Sequence, residues 1–101
     1  MKRTLVTYTT KPEHAEENAR LIGNVFDALH THAPDGLRYM VLRHGEGCFV
    51  HLVEQRDGAP PLSDFEAFRA FQKNAGERWL VRPQASEVTV VGSYGMLPDT
   101  A

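Results

Sequence analysis

One imidazole interrupts what is otherwise an apolar strand. In Cys48-Phe49-Val50-His51-Leu52-Val53 the histidine is the polar member, and its ordinary pKa of about 6.5 suits it to accept a proton near neutral pH. Held against a phenol, His51 would take the phenolic proton; otherwise it is a core or interface histidine bonded to a neighbour, since a buried polar group needs a partner either way. Asn18 raises the same choice on a helix. It lies on the stripe Ala15, Asn18, Ile22, Val25, Phe26 and Leu29, where a buried amide must find hydrogen bonds: it orients a carbonyl or phenol oxygen, or it ties down a strand end. Phe65, Phe68, Phe71 and Trp79 offer flat walls for an aromatic ligand, or simply a core stripe at helical spacing. Trp79 stands apart because its N–H needs a partner near a helix end. Tyr8 alternates with Thr7 and Thr9, so one set faces the helices and the other the far side of the sheet, and the sequence leaves open which.

The remaining reactive side chains carry less. Arg78 and Arg82 flank Trp79 and would hold an anionic group, although exposed arginines are ordinarily just solvated. His30 and His32 are two apart, a spacing that does not share a helix face, and favourable contact with the helix C-terminal dipole accounts for them. His14 and His44 sit in polar surroundings, and no spacing matches a zinc motif, so no metal site is expected. Cys48 is the one cysteine; it excludes an internal disulfide and reads as a small core residue.

Periodicity and punctuation define the elements that must position these groups. Arg3 to Thr9 suits a strand, with Leu5, Val6 and Tyr8 among threonines. Thr10 with Glu13, and Pro12 between them, is a capping-box signature that opens a first helix from about Pro12 to His30. Ala33-Pro34-Asp35-Gly36 is a turn by composition. It leads to a strand from about Leu37 to Arg43, and His44-Gly45-Glu46-Gly47 then reads as a hairpin into a strand from Cys48 to Gln55. A second capping box, Ser63 with Glu66, starts a second helix whose stripe is Phe65, Phe68, Phe71, Gln72 and Ala75, with Gly76 near its end. Glu77 to Val81 adds a short turn before Pro83, and the fourth strand is expected from Glu87 to about Tyr94. The order is β-α-β-β-α-β, an α+β ferredoxin-like plait with a four-stranded antiparallel sheet and two helices on one face.

That layout leaves a mismatch. Tyr39-Met40-Val41-Leu42, Cys48 to Val53 and Val88-Thr89-Val90-Val91 are apolar on both faces, whereas a strand with one wet face would alternate. Two helices cover one face only, so the expected partner is a second copy of the chain packed sheet to sheet. At 101 residues and 42% hydrophobic content the chain suits one core and one domain over 1–101. A net charge of -2 gives no reason to expect nucleic acid or an anionic membrane surface. No run approaches the roughly 20 apolar residues of a membrane span, and no apolar signal core precedes Lys11, so the expected compartment is the cytoplasm. The RNA-recognition motif shares this element order, but Glu46 stands where a basic residue would precede its glycine and Cys48 replaces a base-stacking aromatic.

Five segments carry a resemblance that covers nearly the whole chain: Tyr8-Thr9-Thr10-Lys11-Pro12, Pro34-Asp35-Gly36-Leu37-Arg38-Tyr39, Phe49-Val50-His51-Leu52-Val53-Glu54, Phe65-Glu66-Ala67-Phe68 and Val91-Gly92-Ser93-Tyr94-Gly95. Together with the plait and the chain length, they resemble the antibiotic-biosynthesis-monooxygenase-like group of the dimeric alpha-beta barrel superfamily. The resemblance implies a homodimer whose two sheets close a barrel, with a pocket between sheet and helices in each subunit. Some members oxidise polycyclic phenols with molecular oxygen and neither flavin nor metal; others degrade haem with an asparagine, a tryptophan and a histidine. The haem pattern is not met, because Phe71 stands at the comparable position of the second helix, Trp79 comes later and no histidine follows it. The expectation is therefore a monooxygenase-like protein, without a cofactor, acting on a small aromatic or quinol-type molecule. His51 would be the proton acceptor, Asn18 would orient the oxygen function, and Tyr8, Phe68, Phe71 and Trp79 would shape the cavity. The alternative is a non-catalytic homodimeric ligand-binding or scaffold protein.

Overall fold

The computed structural model describes residues 1–96. Its strands and helices are β1 (Lys2–Thr10), α1 (Ala15–His32), β2 (Leu37–His44), β3 (Cys48–Gln55), α2 (Glu66–Gln72) and β4 (Trp79–Glu87), with short 3-10 turns at Pro12–His14, Leu62–Asp64 and Ala75–Glu77. The four strands form one antiparallel sheet in the order β2-β3-β1-β4. This is the ferredoxin-like plait, with the long central β1 paired on both sides. The extended β3 matches its sequence bounds, because its apolar run is flanked by Gly47 on one side and by a polar turn on the other.

The helix starts differ from the capping-box expectation. Each begins with a 3-10 turn, and no side-chain cap hydrogen bond forms at Lys11, Pro61 or Phe65. The Thr10 hydroxyl instead turns to the Gly47 carbonyl, beside the backbone bond from Thr10 N to Gly47 O at 2.8 Å. A Cβ at Gly47 would meet the Thr10 carbonyl oxygen at 2.8 Å, so the β2–β3 hairpin can lie against the end of β1 only with glycine there. α1 ends on Ala33 in the left-handed conformation, whose N–H bonds the Leu29 carbonyl.

The fourth strand is the main correction. It occupies Trp79–Glu87 rather than Glu87 to Tyr94, and Val88 to Met96 follow it without regular structure, with Val91 and Tyr94 fully exposed. Pro83 is the reason the sequence misleads. A proline has no N–H to give a ladder and argues against a central strand, but β4 is an edge strand, and it carries irregularities in register between Thr7 and Thr9 and between Thr9 and Thr10. Arg82 and Pro83 fall in the first of these, where the ladder is already broken.

Strand alternation divides the sheet into two faces. Tyr8, Phe49, His51, Tyr39 and Val41 point to the helices, where Tyr8, Phe49, Ile22, Val25 and Phe71 form the buried core. Leu5, Val50, Leu52, Met40 and Leu42 share the opposite face, which no helix among the described residues covers. Met40, Leu42 and Val81 are correspondingly exposed. No helix among the described residues is long and apolar enough to cross a membrane.

Candidate functional site

Register decides which polar groups meet beneath the helices. Val6 pairs with His51, and Tyr8 with Phe49, so Tyr8 and His51 are diagonal neighbours on one face. On the other side Val41 pairs with His51 and Tyr39 with Val53, which makes Tyr39 the second diagonal neighbour. The two tyrosines therefore bracket the imidazole. Tyr8 Oη lies 2.8 Å from His51 Nε2, and Tyr39 Oη 2.5 Å from His51 Nδ1. α1 extends the chain of bonds: Asn18 Nδ2 donates to Tyr8 Oη at 2.9 Å. Arg78, just before β4, donates from Nε to Asn18 Oδ1 at 3.0 Å and from Nη2 to the Phe71 carbonyl at 2.6 Å. An arginine can only donate, so it fixes the Asn18 amide with its oxygen toward Arg78 and its NH2 toward Tyr8.

The network is dry. Asn18 is fully buried, and Tyr8, His51 and Arg78 are nearly so. Burial pushes the His51 pKa down to about 4, so the ring is neutral at pH 7. Burial pushes Tyr8 up to about 12, opposed by the Asn18 hydrogen bond and the Arg78 charge. Tyr39 is also raised by burial and further by its neighbour Tyr8. Aromatic contacts hold the rings in place: Phe49 stacks on Tyr8 at 5.6 Å, Phe26 on Tyr39 at 5.0 Å and Phe71 on His51 at 5.8 Å. The Arg78 guanidinium lies 5.3 Å from the Phe71 ring centre, and among the described residues no carboxylate pairs with it.

A cavity of about 220 Å³ opens against this network between the sheet and α2. Tyr8, Tyr39, His51 and Gln72 contribute its polar side chains, while Phe68, Phe71, Trp79, Leu62 and Val6 are among its apolar ones. No Lys, Arg, Asp or Glu among the described residues lines it. Of the residues singled out from sequence, His51, Tyr8, Phe68, Phe71 and Trp79 all meet at this cavity. Phe65 lies instead in a separate surface groove beside His32. Asn18 does not reach the cavity; it stands behind Tyr8 and acts on the space only through that hydroxyl. Among the described residues there is no cluster of metal-ligating side chains.

No protein-family model matches the sequence, nor does any curated protein sequence. Solved structures do match its shape. A Nitrosomonas europaea protein assigned to the antibiotic biosynthesis monooxygenases superposes with a TM-score of 0.73 at 13% identity, covering 91% of this chain and 100% of its own. One from Caulobacter crescentus with the same assignment gives 0.69 at 15% identity over 90% of both chains. A conserved protein from Methanosarcina mazei gives 0.67 at 17% identity over 86% of this chain and 89% of its own. This chain has the fold of the antibiotic biosynthesis monooxygenase-like proteins. At such identities the likeness is one of architecture, and the chemistry must be argued from this chain's own residues.

Two of those residues were missed as site residues in the sequence. Tyr39 looked like one more apolar strand position, yet a hairpin that pairs His44 with Cys48 sets Val41 opposite His51 and brings Tyr39 onto the same face. The three-residue loop Gly45-Glu46-Gly47 held that signal. Arg78 carried only the weak mark of an arginine beside a tryptophan; nothing in its spacing revealed that the turn at Ala75–Glu77 folds it under α1.

Proposed function

We propose that the cavity binds a small, flat, largely apolar molecule and that the protein is a monooxygenase-like enzyme, working without a bound cofactor, on a phenol or quinol-type aromatic. The observation that carries this reading is the cavity's composition: mostly aromatic and aliphatic walls, with the bonded Tyr8–His51–Tyr39 triad and Gln72 as the polar groups. Its volume lies below the roughly 300–1,000 Å³ usual for drug-sized ligands, which suits a one- or two-ring compound. Removing a phenolic proton makes the ring electron-rich enough to react with dioxygen. One oxygen atom then becomes the new quinone carbonyl and the other leaves as water, so that dioxygen takes up four electrons. His51 is the proton acceptor in this scheme: one ring nitrogen takes the proton through Tyr39 or Tyr8 while the other gives its hydrogen through the second tyrosine to the reduced oxygen, so no imidazolium persists. Asn18 sets the hydroxyl of Tyr8 rather than touching the substrate. Phe68, Phe71 and Trp79 hold the ring. Oxygen-electrode assays with 1-naphthol test the reading: the wild type should consume oxygen and His51→Ala should not, whereas equal rates would remove His51 from the mechanism.

The protein acts as a homodimer in this proposal. The uncovered face bearing Leu5, Met40, Leu42, Val50 and Leu52 supports it, because a contiguous apolar surface of that kind is costly to leave in water. A second reading, that of a non-catalytic ligand-binding or scaffold protein, is favoured by one observation. Both nitrogens of His51 are already bonded within the protein. Ligand binding with neither oxygen uptake nor any other change in the ligand would select it.

A further inference from the structure

The hydrogens of the buried network do not add up evenly. Arg78, Asn18, Tyr8, His51 and Tyr39 are joined in a line by four links. Each contributes one hydrogen along that line: an Nε–H, an amide N–H, a hydroxyl, a single imidazole N–H in the neutral ring, and a second hydroxyl. Five hydrogens serve four links, so one hydroxyl hydrogen is always left over. Which one depends on the imidazole tautomer. With the hydrogen on Nδ1, the ring donates to Tyr39, Tyr8 donates to Nε2, and the Tyr39 hydrogen is free. With it on Nε2, the ring donates to Tyr8, Tyr39 donates to Nδ1, and the Tyr8 hydrogen is free. Both tyrosines line the same cavity, and a proton wire along this line would meet one ligand there with its two hydroxyl ends.

We propose that this wire makes the protein a keto–enol tautomerase for small, flat, uncharged ketones, a redox-neutral activity distinct from oxygenation. The inference rests on the reading of the cavity as a ligand site but not on any reaction with oxygen. Enolisation starts from the Nε2–H tautomer. The α-carbon gives its proton to the Tyr39 oxygen as Tyr39 passes its own hydrogen to Nδ1; Nε2–H moves to the Tyr8 oxygen, and Tyr8 gives its former hydrogen to the substrate carbonyl. The broken C–H electron pair becomes the new C=C bond, and the carbonyl π pair takes up the proton from Tyr8. The protein ends in the Nδ1–H tautomer with no net charge gained; once the hydrogen on half-buried Tyr39 has exchanged with solvent, the reverse path returns the enol to ketone carrying a solvent hydrogen.

The two ends are not equivalent, and the surroundings assign them. Asn18 donates into Tyr8, occupying one of its lone pairs, and the unpaired guanidinium of Arg78 stands behind Asn18. Both favour a Tyr8 oxygen that gives up its hydrogen. Among the described residues Tyr39 has a single side-chain hydrogen bond, the one to His51, and keeps a lone pair for an incoming proton. Tyr8 is therefore the acid end and Tyr39 the base end. The depressed basicity of His51 fits a relay that exchanges one proton for another and does not hold an imidazolium. Among the described residues no charged side chain lines the cavity, which favours neutral ketones over keto acids.

The test is α-deuteration of 2-tetralone in anaerobic D2O buffer, followed by proton NMR, with saturation-transfer difference spectra on the same sample to record binding. The wild type should exchange the α-hydrogens about 100-fold or more above buffer, the scale expected for positioned acid–base catalysis. Tyr39→Phe should bind the ketone and exchange it at the buffer rate. His51→Gln keeps an amide that can bond both hydroxyls but cannot carry a proton between two nitrogens, and it should behave the same way if Tyr39→Phe fails to fold. Undiminished exchange in either variant overturns the wire. Binding by the wild type without exchange overturns the tautomerase and leaves the cavity reading standing, and no binding overturns both.

Discussion

Acidifying the wild type from pH 7 to pH 4 should cost about 3 kcal/mol more stability than the same change costs a His51→Gln variant. The magnitude follows from burial. In the folded chain the imidazole pKa is depressed to about 4 from its ordinary 6.5, and the gap, at about 1.4 kcal/mol per pH unit, is worth about 3.4 kcal/mol in full, of which about 3 kcal/mol is reached by pH 4. The sign comes from which state binds the proton. Above pH 6.5 His51 is neutral in both states and contributes no slope. Between pH 6.5 and 4 the unfolded chain takes up a proton that the folded chain refuses, so stability falls as pH falls through that window. Below pH 4 both states are protonated and the slope ends. Tyr8 and Tyr39, the titratable groups bonded to the ring, have raised pKa values and stay protonated throughout. Urea unfolding followed by Trp79 fluorescence, at half-unit pH steps and a fixed protomer concentration, gives the two curves. Parallel curves across the window would refute the reasoning, since they would mean that the folded protein charges His51 as readily as water does.

Other substitutions probe the same architecture. Asn18→Leu removes the link between Arg78 and Tyr8, leaving a buried guanidinium N–H without its acceptor; a loss of about 2–3 kcal/mol in unfolding free energy is expected from urea titration, and an unchanged midpoint would show that the amide is dispensable. Gly47→Ala places a methyl 2.8 Å from the Thr10 carbonyl oxygen and should cost about 1–3 kcal/mol by the same assay. Leu42→Glu puts a charge on the uncovered sheet face, and sedimentation equilibrium should then give the monomer mass where the wild type gives twice that mass; a persisting dimer would move the interface elsewhere.

The plait was legible because its first three strands and first helix announce themselves locally. β3 is an apolar run closed by turns, and α1 shows a stripe whose members Ala15, Asn18, Ile22 and Val25 are all buried. β4 was not legible, because proline and the irregular register beside it are tolerated at a sheet edge, and edge status is a property of the assembled sheet. The decoy strand Val88 to Tyr94 has good strand composition but lies beyond the ladder. At the site, a buried histidine and a buried amide were visible as breaks in apolar patterns. Their partners were not: a tyrosine in a strand and an arginine in a turn break no pattern, and only register and chain reversal bring them together.

The broken ladder of β4 has a consequence for life in a crowded solution. A regular edge offers a row of N–H and C=O groups on which any extended peptide can lay itself, the usual first step toward fibres. With Pro83 lacking its N–H and the register irregular beside it, β4 offers that row only in short pieces. Foreign strands that strike this side of the molecule find no long regular stretch to copy. The same irregularity that hid the strand from sequence reading thus works as a guard against fibrous growth along that border, and restoring a regular ladder there would remove the guard.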